Sequence, residues 1–331
     1  MAAQIPGGVR TLSFLVTFVG TLGLGFIIIP LLKRLKVGQT VRDDGPATHL
    51  VKSGVPTMGG VIFILPAVVI LAILSLWDHR IIPPLLVTAG FGVIGFVDDW
   101  LKVRRKSKDG LTAFQKTMGI IACALLFSVY AAFSPNIGTA IILPLTGMYG
   151  ELVIPFWIYI PFTVFVMYAT SNAVNFTDGV DGLASSVTML VMASFTLTAA
   201  ISVRNDGAAA LTAAFAGGCL AFLFFNAYPA KVIMGDSGSL ALGGAVSAAA
   251  IVMRIHWVLL FFGIIYVVEG LSVVIQISWY KRTRRRVFKM APIHHHYELS
   301  GWSESRIVFV FCIVTFIFCC AGLALLFGRF F

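Results

Sequence analysis

The sequence predicts an all-α protein that crosses a membrane about ten times. Three observations predict it. Of 331 residues, 59% are hydrophobic and only 11% are charged, and the mean hydropathy is +0.95. Apolar runs recur that are long enough for a span, which needs roughly 20 residues. The runs are apolar throughout, without the two-residue alternation of an outer-membrane barrel.

The elements follow in order. Met1–Arg10 is too polar and too short of basic residues for a signal peptide, so the run 12–32 reads as a retained span. The loop VRDDGPATHLVKSGVPTMGG leads into 57–76, and 81–97 ends on Asp98-Asp99. A basic stretch, RRKSKDGLTAFQK, precedes 117–134. Segment 135–155 carries prolines and glycines around the β-prone Ile141–Leu145 and predicts a small hairpin. Spans at 156–174 and 183–203 flank NFTDGVDG, and 208–226 and 239–254 flank MGDSGS. The ninth, 257–279, holds Glu269 beside Gly270, which permits a bend. The last, 306–327, follows APIHHHYELSGWSESR. There is no internal repeat or low-complexity linker, so residues 1–331 read as one domain.

Charge orients the bundle. The connections 33–56, 98–116, 175–182, 227–238 and 280–305, with Arg306 at their edge, hold 19 of the 24 Lys and Arg residues. The opposite side holds only Arg10, Arg80, Arg204, Arg254 and Arg329. The basic side is expected in the cytoplasm, with both termini outside. Topology and an anionic substrate account for the net charge of +10, with no need of nucleic acid. The five cysteines lie inside apolar runs and lack metal-ligand spacing.

Every acidic cluster falls on that basic side. A carboxylate in or beside a span is costly, by about 2.5 kcal/mol or more at the centre. Asp98 and Asp99 repel each other at a helix end whose dipole is already negative. An ordinary helix end with a salt bridge is the plainer reading, and Lys102 shares a face with Asp98 if the helix continues. Arg104, Arg105, Lys106 and Lys108 read as topology signals and headgroup contacts, and Lys116 as a more specific one. Asn175, Asp178 and Asp181 are spaced by three, so one helical turn would gather them, and Gly179 and Gly182 admit a ligand. A plain turn is the alternative; an EF-hand lacks its ligand order and closing Glu. Asp236 opens a helix whose small residues suit phosphate oxygens, though Ser237 and Ser239 are better read as helix caps. Three adjacent histidines do not converge on one zinc; phosphate binding or proton handling is favoured over the plainer reading of an accidental tag-like run. Asp43, Asp44 and His49 read as solvated, whereas Lys52 and Thr57 stand near a glycine pair at a helix start. A lone intramembrane carboxylate such as Glu269 is normally paired or functional.

DDWLK, NFTDGVDGLA, NAYPAKVIMGDSGSLALGG and APIHHHYE, in this order and on one side, resemble the polyprenyl-phosphate N-acetylhexosamine-1-phosphate transferases. The resemblance spans nearly the whole chain. The triple histidine followed by an aromatic residue and Glu points to the branch acting on UDP-MurNAc-pentapeptide rather than on UDP-GlcNAc. Ile233 departs from the Phe expected there. The resemblance implies transfer of a phospho-sugar to undecaprenyl phosphate in the bacterial plasma membrane, with Mg²⁺, giving lipid I and UMP. It implies Asp236, with Asp178, as metal ligands, and Asp98 and Asp99 in catalysis, Asp98 as a candidate base. Asn175, Asp178, Gly179 and Asp181 would line the nucleotide and metal side. Lys52, Thr57, Lys102, Lys116, Asn226, Ser239, His295 and His296 would contact phosphates, uridine or sugar. A homodimer is a candidate assembly by the same resemblance. The rival from another class, an ion-coupled transporter, predicts inverted repeats and mid-membrane charges; only Glu269 fits it.

Overall fold

The computed structural model describes residues 8–34, 54–105, 107, 109–143, 150–203 and 205–327. Each predicted span is a helix: α1 (Val9–Arg34), α2 (Gly60–Leu74), α3 (Ile82–Arg105), α4 (Ala113–Phe133), α5 (Phe156–Thr177), α6 (Leu183–Ile201), α7 (Asp206–Asn226) and α8 (Gly235–Val252). A one-turn α9 (Leu259–Phe262), α10 (Ile264–Thr283), the short α11 (Ile293–Glu298) and α12 (Glu304–Phe327) follow. Among the described residues, 9 helices are long and apolar enough to cross a membrane, and Gly60–Leu74 is a shorter apolar one. The protein is an all-α, multi-pass membrane protein.

Three boundaries differ from expectation in ways that bear on function. The third helix does not end at Asp98-Asp99 but runs on to Arg105. No Gly or Pro interrupts it there, and Lys102, Arg104 and Arg105 suit its negative end. Asp98 and Lys102 therefore do share a helical face. The fifth helix reaches Thr177, which carries Asn175 inside its last turn. In the ninth span the break falls at Gly263, and α10 runs unbroken through Gly270.

Helix α8 is the axis of the bundle. Its sequence, GDSGSLALGGAVSAAAIV, is nearly all small residues, and all but its first two are buried. Small residues let helix backbones touch, which is how spans associate where lipid offers no hydrophobic drive. A Cβ at Gly60 of α2 would overlap the backbone of Gly238, and one at Gly95 of α3 would overlap the carbonyl of Asp236. On the far side, a Cβ at Gly243 would stand 2.5 Å from Cα of Ser171 in α5. Helix α1 covers α7 with a narrow stripe, Ser13, Thr17, Thr21 and Gly25. Its other faces expose large apolar side chains, such as Phe26 at 72%. Leu126 on α4 and Phe165 on α5 do likewise. Faces this apolar belong against hydrocarbon.

The two ends of the bundle differ. One gathers the starts of α2 and α8 and the ends of α3 and α5: Gly59 and Gly60 donate backbone hydrogen bonds to Ile233 and Met234 (2.9 and 2.8 Å). The other carries the predicted hairpin, in which β1 (Ala140–Ile142) pairs antiparallel with β2 (Glu151–Val153). Arg254 fastens it through the Ala140 carbonyl (3.1 Å) and Glu151 (2.6 Å), and the Trp257 indole donates to the Ile142 carbonyl (2.6 Å). Burial pushes the adjacent His256 down to about 4, so that imidazole is neutral at pH 7.

Gly95→Ala is expected to destabilise the protein by about 1–3 kcal/mol, because α8 backbone blocks the added methyl. Gly23→Ala, where nothing lies within 4 Å, is expected to be neutral or stabilising. Thermal midpoints of the detergent-solubilised variants check both; equal midpoints would rule out backbone contact as the constraint.

Candidate active site

The site forms where the end of α3 meets the start of α8. Asp99 is buried, and its two oxygens accept hydrogen bonds from the amides of Asp236 (3.2 Å) and Ser237 (2.9 Å). A carboxylate from one helix thus caps another, and the positive end of α8 offsets the negative end of α3. Gly235 makes the approach possible. Its φ is +76°, and a Cβ there would sit 2.6 Å from Asp99 Oδ2 and 3.0 Å from Thr57 Oγ1. Thr57 therefore lies on this rim.

Two lysines bind the carboxylates together. Nζ of Lys102 stands 2.5 Å from Asp98 Oδ2, 2.7 Å from Asp236 Oδ2 and 3.9 Å from Asp99 Oδ1. Nζ of Lys116 reaches the same Asp236 oxygen at 3.0 Å. Asp98 Oδ1 accepts from the Leu111 amide (2.8 Å), which pins the chain between α3 and α4. The other oxygen of Asp236 accepts from Asn175 Nδ2 (2.7 Å), which also donates to Ser239 Oγ (2.7 Å). Asp236, Asp98, Asp99, Lys102, Lys116, Asn175 and Ser239 therefore form one connected network.

Asp98, Asp99 and Asp236 each offer a carboxylate oxygen within 4.8 Å of the others. Mg²⁺ takes hard oxygen ligands in a near-ideal octahedron with bonds of about 2 Å, which sets opposite ligands about 4 Å apart. The donor chemistry of these three oxygen groups fits such an ion. Asp178 is not in this trio. It caps the end of α5, partly buried, and accepts from the Gly235 backbone. Burial, then the charges of Asp236 and Asp99, hold its carboxyl well above the usual range.

Other expected residues do different work. The helical turn meant to gather Asn175, Asp178 and Asp181 does not form, because α5 stops at Thr177. Asp181 turns away, accepting from the Ala230 amide (3.0 Å), while its own amide donates to Glu304 at 3.1 Å. Asn226 is buried and bonds within the chain, from Nδ2 to the Val232 carbonyl (3.0 Å) and at Oδ1 from Ser185 (2.9 Å). Both brace the 227–234 segment that leads into Asp236. Lys52 lies outside the described residues.

The three histidines separate on α11. His295 Nδ1 meets Glu298 (2.6 Å), and His296 Nδ1 accepts from the Lys289 amide (3.1 Å). His294 is the buried one, 3.0 Å from Glu269. Gly179 packs directly on its ring. Sequence reasoning took in His294 only as one of the triplet and missed Glu304. A histidine directly after an apolar Ile293 and an acid opening an apolar helix were the available signals.

Comparison with known proteins agrees with this geometry. The sequence profile described as glycosyl transferase family 4 matches residues 81–254, which include every member of the network. The phospho-N-acetylmuramoyl-pentapeptide-transferase of Acetivibrio thermocellus is 52% identical over 309 residues, covering 93% of both chains. That of Clostridium kluyveri is 47% identical over 94% of this chain and 97% of its own. That of Clostridioides difficile is 45% identical over 92% and 94%. The chain belongs to the phospho-N-acetylmuramoyl-pentapeptide-transferase family.

Proposed function

We propose that this chain transfers phospho-MurNAc-pentapeptide from UDP-MurNAc-pentapeptide to undecaprenyl phosphate in the plasma membrane, giving lipid I and UMP. The observation that carries the reading is the convergence of Asp98, Asp99 and Asp236 with Lys102 and Lys116 at one end of the bundle. A soluble sugar nucleotide and a lipid headgroup can meet only at such an end. The site holds three carboxylates, Asp98, Asp99 and Asp236, against two ammonium groups. That excess of negative charge calls for a further cation before a polyanion can settle.

Phosphoryl transfer is chiefly positioning and charge neutralisation. An oxygen of the lipid phosphate bonds to the phosphorus that carries the sugar. The bond from that phosphorus to the bridging oxygen breaks, and its electron pair leaves with UMP. Asp98, at headgroup depth, orients the attacking phosphate and takes its proton where one is present. Lys102 and Lys116 hold phosphate oxygens, and Asn175 fixes Asp236. Asp236, with Asp98 and Asp99 and with Asp178 beside it, would hold Mg²⁺, which when bound neutralises the pyrophosphate. A homodimer would form through the lipid-facing helices, since α7 and α8 are enclosed.

Transfer is expected with UDP-MurNAc-pentapeptide and not with UDP-GlcNAc, and chelation of divalent ions should abolish it. A radiolabelled lipid-product assay decides both. Asp236→Asn should remove turnover with the fold intact; near-normal turnover at ordinary Mg²⁺ would exclude it as a ligand.

For Asp98→Asn, the turnover rate should fall about 10²–10⁴-fold, the range of a lost general base, with little change in sugar-nucleotide binding. Loss of nucleotide affinity at an unchanged maximal rate would move Asp98 to the nucleotide pocket. UMP release before lipid is added, with a phospho-sugar trapped on Asp98 or Asp99, would replace direct attack by a covalent route.

The acidic end is assigned to the cytoplasm, with both termini outside, on the distribution of basic residues. In a background without native cysteines, a membrane-impermeant thiol reagent should label Asp206→Cys from outside and spare Lys108→Cys. The reverse pattern would invert the site.

A further inference from the structure

The carboxylate trio has a cation of its own. Nζ of Lys102 bridges Asp98 Oδ2 and Asp236 Oδ2, at 2.5 and 2.7 Å, and stands 3.9 Å from Asp99 Oδ1. These are the same three residues whose oxygens lie within 4.8 Å of one another. Lys116 differs. Among the described carboxylates its Nζ meets Asp236 alone, at 3.0 Å.

Lone pairs show how fully the bridge occupies the trio. A carboxylate has about four acceptor sites, two on each oxygen. On Asp236, Oδ2 accepts from both lysines and Oδ1 accepts from Asn175. On Asp98, Oδ1 accepts from the Leu111 amide and Oδ2 faces Lys102. A divalent ion and the Lys102 ammonium would draw on the same oxygens, and two cations so close repel. The transfer reading also asks Lys102 to hold phosphate oxygens. Two of its three N–H groups are engaged by aspartates instead.

We propose that Lys102 is an exchangeable counter-ion: its ammonium neutralises the trio until a divalent ion binds there, then swings from the Asp98–Asp236 bridge to phosphate oxygens of the substrate. This rests on the transfer reading above. The Lys102 side chain is 34% exposed, against 21% for Lys116, so it is the lysine with more room to leave. It sits one helical turn from Asp98, so it stays beside any phosphate held at the trio. The plainer alternative is a permanent salt bridge that ties α3 to α8.

Metal affinity separates the two, with no substrate present. Mn²⁺ is the probe in place of Mg²⁺, and electron paramagnetic resonance of the detergent-solubilised full chain reads its binding. Lys102→Met keeps the side-chain length and removes the competing charge. Lys116→Met removes an equal charge from beside Asp236 and leaves the bridge. Lys102→Met should bind Mn²⁺ about 10-fold more tightly than wild type, and more tightly than Lys116→Met. An equal gain in both variants reports lost charge alone and overturns the exchange. Unchanged or weaker binding in Lys102→Met overturns it as well.

The second measurement needs no stable variant. In wild-type protein, acetylation of Lys102 by an amine-reactive reagent, followed by mass spectrometry, should speed up when Mg²⁺ is added without substrate. An unchanged or slower rate overturns the proposal. Wild-type protein inactive on UDP-MurNAc-pentapeptide and undecaprenyl phosphate would instead sink the transfer reading, and both metal measurements would still stand.

Discussion

The capping of α8 by Asp99 is the interaction on which the rest of the site depends. An acidic side chain near the C-terminus of α3 is unfavourable alone, and so is a row of unpaired amides at the start of α8. Brought together, each removes the other's cost. The contact requires the two backbones to touch, which Gly95 allows, and α8 to open in a left-handed turn, which Gly235 allows. Asp236 then projects beside Asp98, and the lysines and Asn175 have something to converge upon.

This arrangement explains why such polar machinery tolerates the edge of a bilayer. No carboxylate in the network stands alone. Asp98 has Lys102 and a backbone amide, Asp99 has two amides, and Asp236 has two lysines and an amide side chain. Buried charges persist when they are paired and hydrogen-bonded. Charge is still not balanced across the group, since three carboxylates stand against two ammonium groups.

Much of this was legible in the sequence. Long apolar runs gave each span, and acidic residues at their ends marked the site, because both signals follow from the cost of polar groups in lipid. What stayed hidden was direction. The spacing of Asn175, Asp178 and Asp181 was compatible with one helical turn, yet α5 ends between the first two, and Asp181 serves the 227–234 segment instead. The histidine triplet could not say which ring faces inward, since that depends on how a six-residue helix sits against α10. Lys102 was recoverable from its four-residue spacing to Asp98, but its reach to Asp236 is a tertiary fact, across 134 positions of sequence.

The bond between the Asp181 amide and Glu304 has a meaning for biosynthesis. Glu304 opens the last span, whereas the carboxylates of α3 enter the membrane some 200 positions earlier. A nascent chain that has inserted α3 and α5 holds acidic residues whose partners are still in the ribosome. The buried amide of Asp181 finds its acceptor only when α12 arrives. Until then a buried backbone donor at the membrane edge stands without this acceptor, a cost that the last span removes.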